Sequence, residues 1–155
     1  MKNLFLLVFA LFFTVALSAQ NSMDKEIKQA KQEIEASFGT YPTLFKIIPD
    51  YQVPGMWAYF KACNSPQNAI PPKYRELINL AVAAQIPCDY CIYYHTESAK
   101  AFGATEDEIK EALVVSSGTR AFSMIIQGNG VDLEEFKKEF DGMMAYMAKQ
   151  ATKKM

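Results

Sequence analysis

Apolar residues recur at three- and four-residue intervals along most of the chain, and no stretch alternates with the two-residue period of a strand. From Ser22 to Phe38, Ile27, Ala30, Ile34 and Phe38 fall on one side of a helix whose other side is Lys and Glu; Gly39 ends it. Tyr41 to Pro54 is punctuated by proline, with TLFKII as a short helix inside it, and Pro54 to Cys63 reads as a further helix carrying Met56, Trp57, Tyr59 and Phe60. Asn64 to Pro72 is a loop. Pro71 to Ile86 is a helix opened by two prolines and closed by Pro87, which pushes Ile86 out of the helical region. The next helix starts at Cys88 or Asp89 and runs to Phe102, where Gly103 caps it. Thr105 to Glu108 spells a capping box for a long helix reaching Gly128. After the GNG break, Asp132 caps a last helix with Leu133, Phe136, Phe140, Met143, Met144 and Met147 in one stripe, a core or subunit contact. The pattern predicts an all-α, single-domain helical bundle of about six or seven helices.

The first nineteen residues fall outside that bundle. Lys2 is followed by an apolar run, Leu4 to Leu17, and by small residues at Leu17 to Gln20. This is the layout of a cleavable signal peptide over residues 1–19, with cleavage after Ser18 or Ala19 and the domain over 20–155. The run would span about 21 Å as a helix, short of a bilayer core of about 30 Å. The expectation is a periplasmic or secreted protein with no stable membrane anchor after cleavage. Once Lys2 is removed, fifteen basic residues face seventeen acidic ones. That balance gives no electrostatic case for nucleic acid.

Cysteine is sparse. Cys63 stands alone, and as an odd cysteine in an exported chain it is expected to be buried rather than paired between chains. The other two form a C-x-x-C pair, Cys88 and Cys91, followed after three residues by His95, the chain's one histidine. Spacings of three and four put Cys88, Cys91 and His95 on one helical face, with Ala99 and Phe102 continuing the stripe inward. Glu76 lies roughly 15 Å before the Pro87 turn and His95 roughly 12 Å after it. Antiparallel packing across so short a connection therefore sets the carboxylate beside the imidazole. The result is a relay from carboxylate to imidazole to thiol. Cys88 has the helix N-terminus to lower its pKa, whereas Cys91 has His95 one turn away to take its proton. The base at helical contact favours Cys91 as nucleophile and Cys88 as resolving thiol, with Cys91 ionising below the free-thiol value of about 8.5.

Other readings of the same residues fit less well. Cys88 and His95 are separated by about 10.5 Å of helical rise, too far to share one zinc ion, and no second C-x-x-C completes a site. Haem attachment needs a histidine directly after the second cysteine, where this chain has Ile92. A purely structural disulfide remains open. So do two roles for the aromatics of the Pro54 to Cys63 helix: core filling, or lining an apolar approach to Cys91.

A glutamate, eleven residues, C-x-x-C, three residues and a histidine resembles the pattern of the alkylhydroperoxidase D-like branch of the carboxymuconolactone decarboxylase superfamily. Lys73 to Ala84 (KYRELINLAVAA) and Phe102 to Leu113 (FGATEDEIKEAL) add to the likeness, which covers about Tyr41 to Leu113. The resemblance implies an alkylhydroperoxidase D-like fold and a thiol-dependent peroxidase with peroxiredoxin-type activity. It also implies a sulfenic acid at Cys91, a redox-active disulfide to Cys88, and proton relay through His95 and Glu76. No cofactor and no metal are expected. The expected partners are a small-molecule peroxide and a thiol or protein reductant, and the chain is expected to form a homo-oligomer, a trimer or hexamer. Two departures stand out. Tyr90 occupies the place where the best-studied peroxidase members have a second histidine, and the cysteine pair separates this chain from decarboxylase members. Ser116, Ser117, Arg120 and Met124 fall in no functional motif. The alternatives are a periplasmic thiol-disulfide oxidoreductase acting on a protein partner, and a non-catalytic binding protein with a structural disulfide.

Overall fold

The structure is a computed structural model that describes the backbone of residues 2–153 and the side chains of residues 20–153. The expected signal peptide, residues 1–19, lies outside the residues whose side chains are described. Seven α-helices and one 3-10 turn make up the described residues, with no strand. The helices are α1 (Lys2–Phe38), α2 (Thr43–Lys46), α3 (Val53–Cys63), α4 (Pro72–Gln85), α5 (Asp89–Ala101), α6 (Glu106–Gly128) and α7 (Leu133–Lys153), the 3-10 turn being Asp50–Gln52. They fall into two compact units, Met1–Ala69 and Ile70–Met155.

The first unit closes around aromatic rings. Ala30 and Ile34 of α1 are buried against Phe45 of α2 and against Val53 and Trp57 of α3. Trp57 stacks on Phe60 at 5.6 Å between centroids and meets Phe45 edge-on at 5.8 Å. The Trp57 and Phe60 rings of α3 thus fill this unit's own core. Beside them Glu33 is a polar hub. Its carboxylate accepts from the Trp57 indole at 2.8 Å, from Lys61 at 2.6 Å and from Gln29 at 3.0 Å. The Lys61 bond first, then those from Gln29 and Trp57, hold Glu33 down at about 2.

Cys63 departs from expectation: it is exposed. The inward stripe of α3 is Val53, Trp57 and Phe60, and Cys63 lies roughly 120° round the helix from Trp57. It shares the outer face with the exposed Met56 and Tyr59.

In the second unit α4 and α5 form an antiparallel hairpin against which α6 packs. Leu80, Ala99 and Ile109, one from each helix, are buried together, with Leu77, Ile92 and Leu113 partly buried around them. Leu80 is fully enclosed, and truncating such a leucine to alanine costs roughly 2–5 kcal/mol. Gly103 takes φ +83° to end α5, so that the Ala104 N–H reaches back to the Ala99 carbonyl at 2.9 Å. Phe102 is half exposed instead of continuing the inward stripe, because it is the C-cap and the helical period has stopped there. The capping box forms as expected. The Glu108 N–H donates to the Thr105 hydroxyl at 3.1 Å, and the Thr105 N–H donates to the Glu108 carboxylate at 2.8 Å. That carboxylate also pairs with Lys73 at 2.7 Å, which fixes the start of α6 to the start of α4. Asp132 caps α7 through the Glu135 N–H at 2.9 Å.

The Glu33 hub makes the first unit acid-sensitive in a defined window. A carboxylate whose folded value is depressed to about 2 contributes stability above the ordinary 4.5, and loses it as pH falls toward about 2. Trp57 is the chain's one tryptophan, so its fluorescence reads this hub directly. The expected outcome is an emission change between pH 4.5 and 2 in the wild type. Glu33→Gln should be less stable at neutral pH and should show no such change in that window.

Candidate functional site

The α4–α5 connection positions the chemistry. α4 ends at Gln85, and the Cys88 N–H returns to the Ala83 carbonyl at 3.1 Å, which makes the reversal tight. Cys88 is then the N-cap of α5, with extended backbone (φ −102°, ψ 97°). Its sulfur does the work of the usual Ser or Asp oxygen and accepts the Cys91 N–H at 3.3 Å. Cys91 sits at the third helical position, and the two cysteines are joined in a disulfide with Cα atoms 5.3 Å apart. Both lie at the positive end of the α5 dipole, which favours a thiolate at either sulfur.

One turn after Cys91, His95 meets the carboxylate from the other helix. His95 Nδ1 is 2.7 Å from Glu76 Oε2, where the Glu76 side chain is almost wholly enclosed and that of His95 is about one-fifth exposed. A carboxylate facing Nδ1 selects the neutral tautomer with its proton on that nitrogen. Nε2 is left as the acceptor, the arrangement that a general base requires. The structure therefore brings together Glu76 with His95 and Cys88 with Cys91, and the two pairs are linked by a single turn of α5.

Tyr94 escaped the sequence reading. Its ring meets the His95 imidazole edge-on at 5.0 Å. Burial and then the Glu76 charge raise its phenol above the ordinary 10, partly opposed by a hydrogen bond with Ser98. The available signal was its place beside His95, since an adjacent aromatic on a helix shares an edge with the functional face. Tyr90, by contrast, is 90% exposed. Among the described residues no group of three or more His, Cys, Asp or Glu side chains is arranged to hold a metal ion.

With this geometry in hand, comparison with known proteins is informative. Residues 54–126 match the model of the carboxymuconolactone decarboxylase family. An uncharacterized protein of Cupriavidus necator is 29% identical over 97 residues, spanning 61% of this chain and 79% of that one. An uncharacterized protein of the cox locus of Paracoccus denitrificans is 34% identical over 61 residues, 39% of this chain and 55% of that protein. Among solved structures, the alkylhydroperoxidase AhpD core of Rhodospirillum rubrum superposes with a TM-score of 0.62 at 24% identity, covering 76% of this chain and 89% of that one. That likeness establishes the fold.

The placement of Tyr94 beside Glu76 can be checked by tyrosine titration in the ultraviolet. Tyr94→Phe identifies the late-ionising phenol by removing it. In Glu76→Gln the negative charge is gone, and the same phenol should titrate nearer to 10, whereas an unchanged curve would separate the two groups.

Proposed function

We propose that this chain is a thiol-dependent peroxidase working through Cys88, Cys91, His95 and Glu76, a reading supported by the match of residues 54–126 to the carboxymuconolactone decarboxylase family and by the fold shared with the AhpD core. The observation that carries this reading is the enclosed Glu76–His95 hydrogen bond of 2.7 Å one turn from the cysteine pair. A structural disulfide has no use for an oriented base beside it. In the reduced protein His95 Nε2 takes the Cys91 proton, while Glu76 holds the tautomer and balances the resulting imidazolium. The Cys91 thiolate attacks one oxygen of the peroxide, the O–O bond breaks, and the alcohol or water leaves with a proton returned by His95. Cys91 is left as a sulfenic acid. Cys88 then attacks the Cys91 sulfur and expels water, giving the disulfide. A dithiol reductant supplies two electrons and two protons to restore the pair. Export directed by residues 1–19 would place this cycle in the periplasm or outside the cell, with a reductant of that compartment.

One feature favours a second reading. Tyr90 and Tyr93, flanking Cys91 in sequence, are 90% and 74% exposed. Such exposed rings suit a protein partner, either the reductant of the peroxidase or the substrate of a thiol-disulfide oxidoreductase.

Peroxide consumption and reduction of a protein disulfide, measured side by side on the purified protein, separate the two. In the peroxidase reading Cys91→Ser abolishes turnover. His95→Ala lowers the rate about 10²–10⁴-fold at neutral pH. Glu76→Gln lowers it less, since orientation and charge are lost but the proton acceptor remains. Raising the pH partly rescues His95→Ala, because hydroxide then generates the thiolate, and does not rescue Cys91→Ser. A His95→Ala protein with the wild-type rate would sink the relay and leave the disulfide a structural element.

A further inference from the structure

We infer that Tyr94 is a positioning residue: its ring sets the plane of the His95 imidazole, and with it the direction in which Nε2 points. The use made of Nε2 rests on the peroxidase reading above, whereas the setting of the ring does not. Two properties of histidine create the need. The torsion that turns an imidazole about its Cβ–Cγ bond is soft, with a broad profile in place of three sharp wells. A hydrogen bond at Nδ1 holds one atom of the ring, and the ring can still rock through the angles that such a bond tolerates. The 2.7 Å bond to Glu76 Oε2 is the one hydrogen bond of the His95 side chain among the described residues. Rocking about it would carry Nε2 through an arc, and a base serves only when its lone pair is aimed.

Tyr94 supplies the second contact. Its ring centre lies 5.0 Å from that of the imidazole, with the two planes 84° apart. This is inside the range of about 4.5–7 Å over which edge-on aromatic pairs attract. Helical spacing alone does not produce such a meeting, because consecutive side chains leave the axis about 100° apart and do not face each other. Of the three tyrosines of α5, Tyr94 is the least exposed, at 46% against 90% for Tyr90 and 74% for Tyr93. Its phenol also feels the Glu76 charge, so the side chain lies in the neighbourhood of the carboxylate that holds Nδ1. The imidazole is thus held by a carboxylate from α4 and by a perpendicular ring from α5, and two contacts fix a plane where one does not. The contact is made by the ring, so phenylalanine should replace Tyr94 and alanine should not.

The chain has a single histidine, so the ring can be followed without any assay of activity. The full chain, made without a histidine tag and labelled with 15N in histidine, reports by its two nitrogen shifts which nitrogen carries the proton. With the imidazole neutral, the wild type should show one tautomer, protonated at Nδ1, and Tyr94→Phe should match it. Tyr94→Ala places a good helix former at a half-exposed position and should keep the wild-type circular dichroism. Its spectrum should show both tautomers, because a rocking ring makes the Glu76 bond only part of the time. Mixed tautomers in the wild type, the wild-type tautomer in Tyr94→Ala, or mixed tautomers in Tyr94→Phe would each overturn the inference. The reduced proteins give a second readout, alkylation of Cys91 at neutral pH followed at that residue by peptide mass mapping. Tyr94→Ala should slow it roughly 10–10²-fold and Tyr94→Phe should not. Added to His95→Ala, Tyr94→Ala should slow it no further, since a residue acting through the imidazole then has nothing to act on. A further loss in that background would overturn the positioning role. Wild-type alkylation in His95→Ala would instead count against the peroxidase relay, and the tautomer spectra would still decide the role of Tyr94.

Discussion

A carboxylate in a helical interface is tolerable only if its charge is met there, and in this chain a single imidazole meets it. Glu76 is turned inward between α4 and α5, 3% exposed, where an unpaired charge would cost several kcal/mol. Its partner His95 is supplied by the other arm of the hairpin. Glu76 sits near the start of α4 and His95 about halfway along α5, so their bond fixes how α5 slides and rotates against α4. The Cys88–Cys91 link lies at the closed end. With both constraints in place, a shift of register by even one residue would strand the carboxylate.

Helix α6 acts on this hairpin. Leu80, Ala99 and Ile109 join its two arms to α6 through close apolar packing. The Lys73–Glu108 pair, with the capping box around it, sets where α6 begins relative to α4. These contacts hold the rigid background against which the His95 ring keeps its orientation. The first unit uses a different solution, in which an aromatic cluster and one depressed carboxylate take the place of aliphatic packing.

Helix ends were the most legible feature of the sequence, because proline, glycine and the Thr105–Glu108 box act locally. The Glu76–His95 meeting was legible too, since similar rise on both sides of a short turn is simple geometry. What escaped depended on contacts remote in sequence or on small rotations about a helix. Glu33 gathers Trp57 and Lys61 from 24 and 28 residues away, which no local period reveals. Cys63, expected to be buried only because it is an unpaired cysteine in an exported chain, sits exposed on the far flank of a narrow apolar stripe. Tyr94 read as one aromatic among many until its neighbours were known.

The cap of α5 has a mechanical consequence. Because the Cys88 sulfur stands outside the helix and receives the Cys91 N–H, bond making and breaking between the two sulfurs engages the first turn of a rod and not its shaft. Displacement of a sulfur there can be absorbed by the few residues of the turn. Leu80 and Ala99, deeper along the hairpin, have no reason to move. The fold thus confines a covalent cycle to a place with slack while the proton-handling pair stays seated in a place without it.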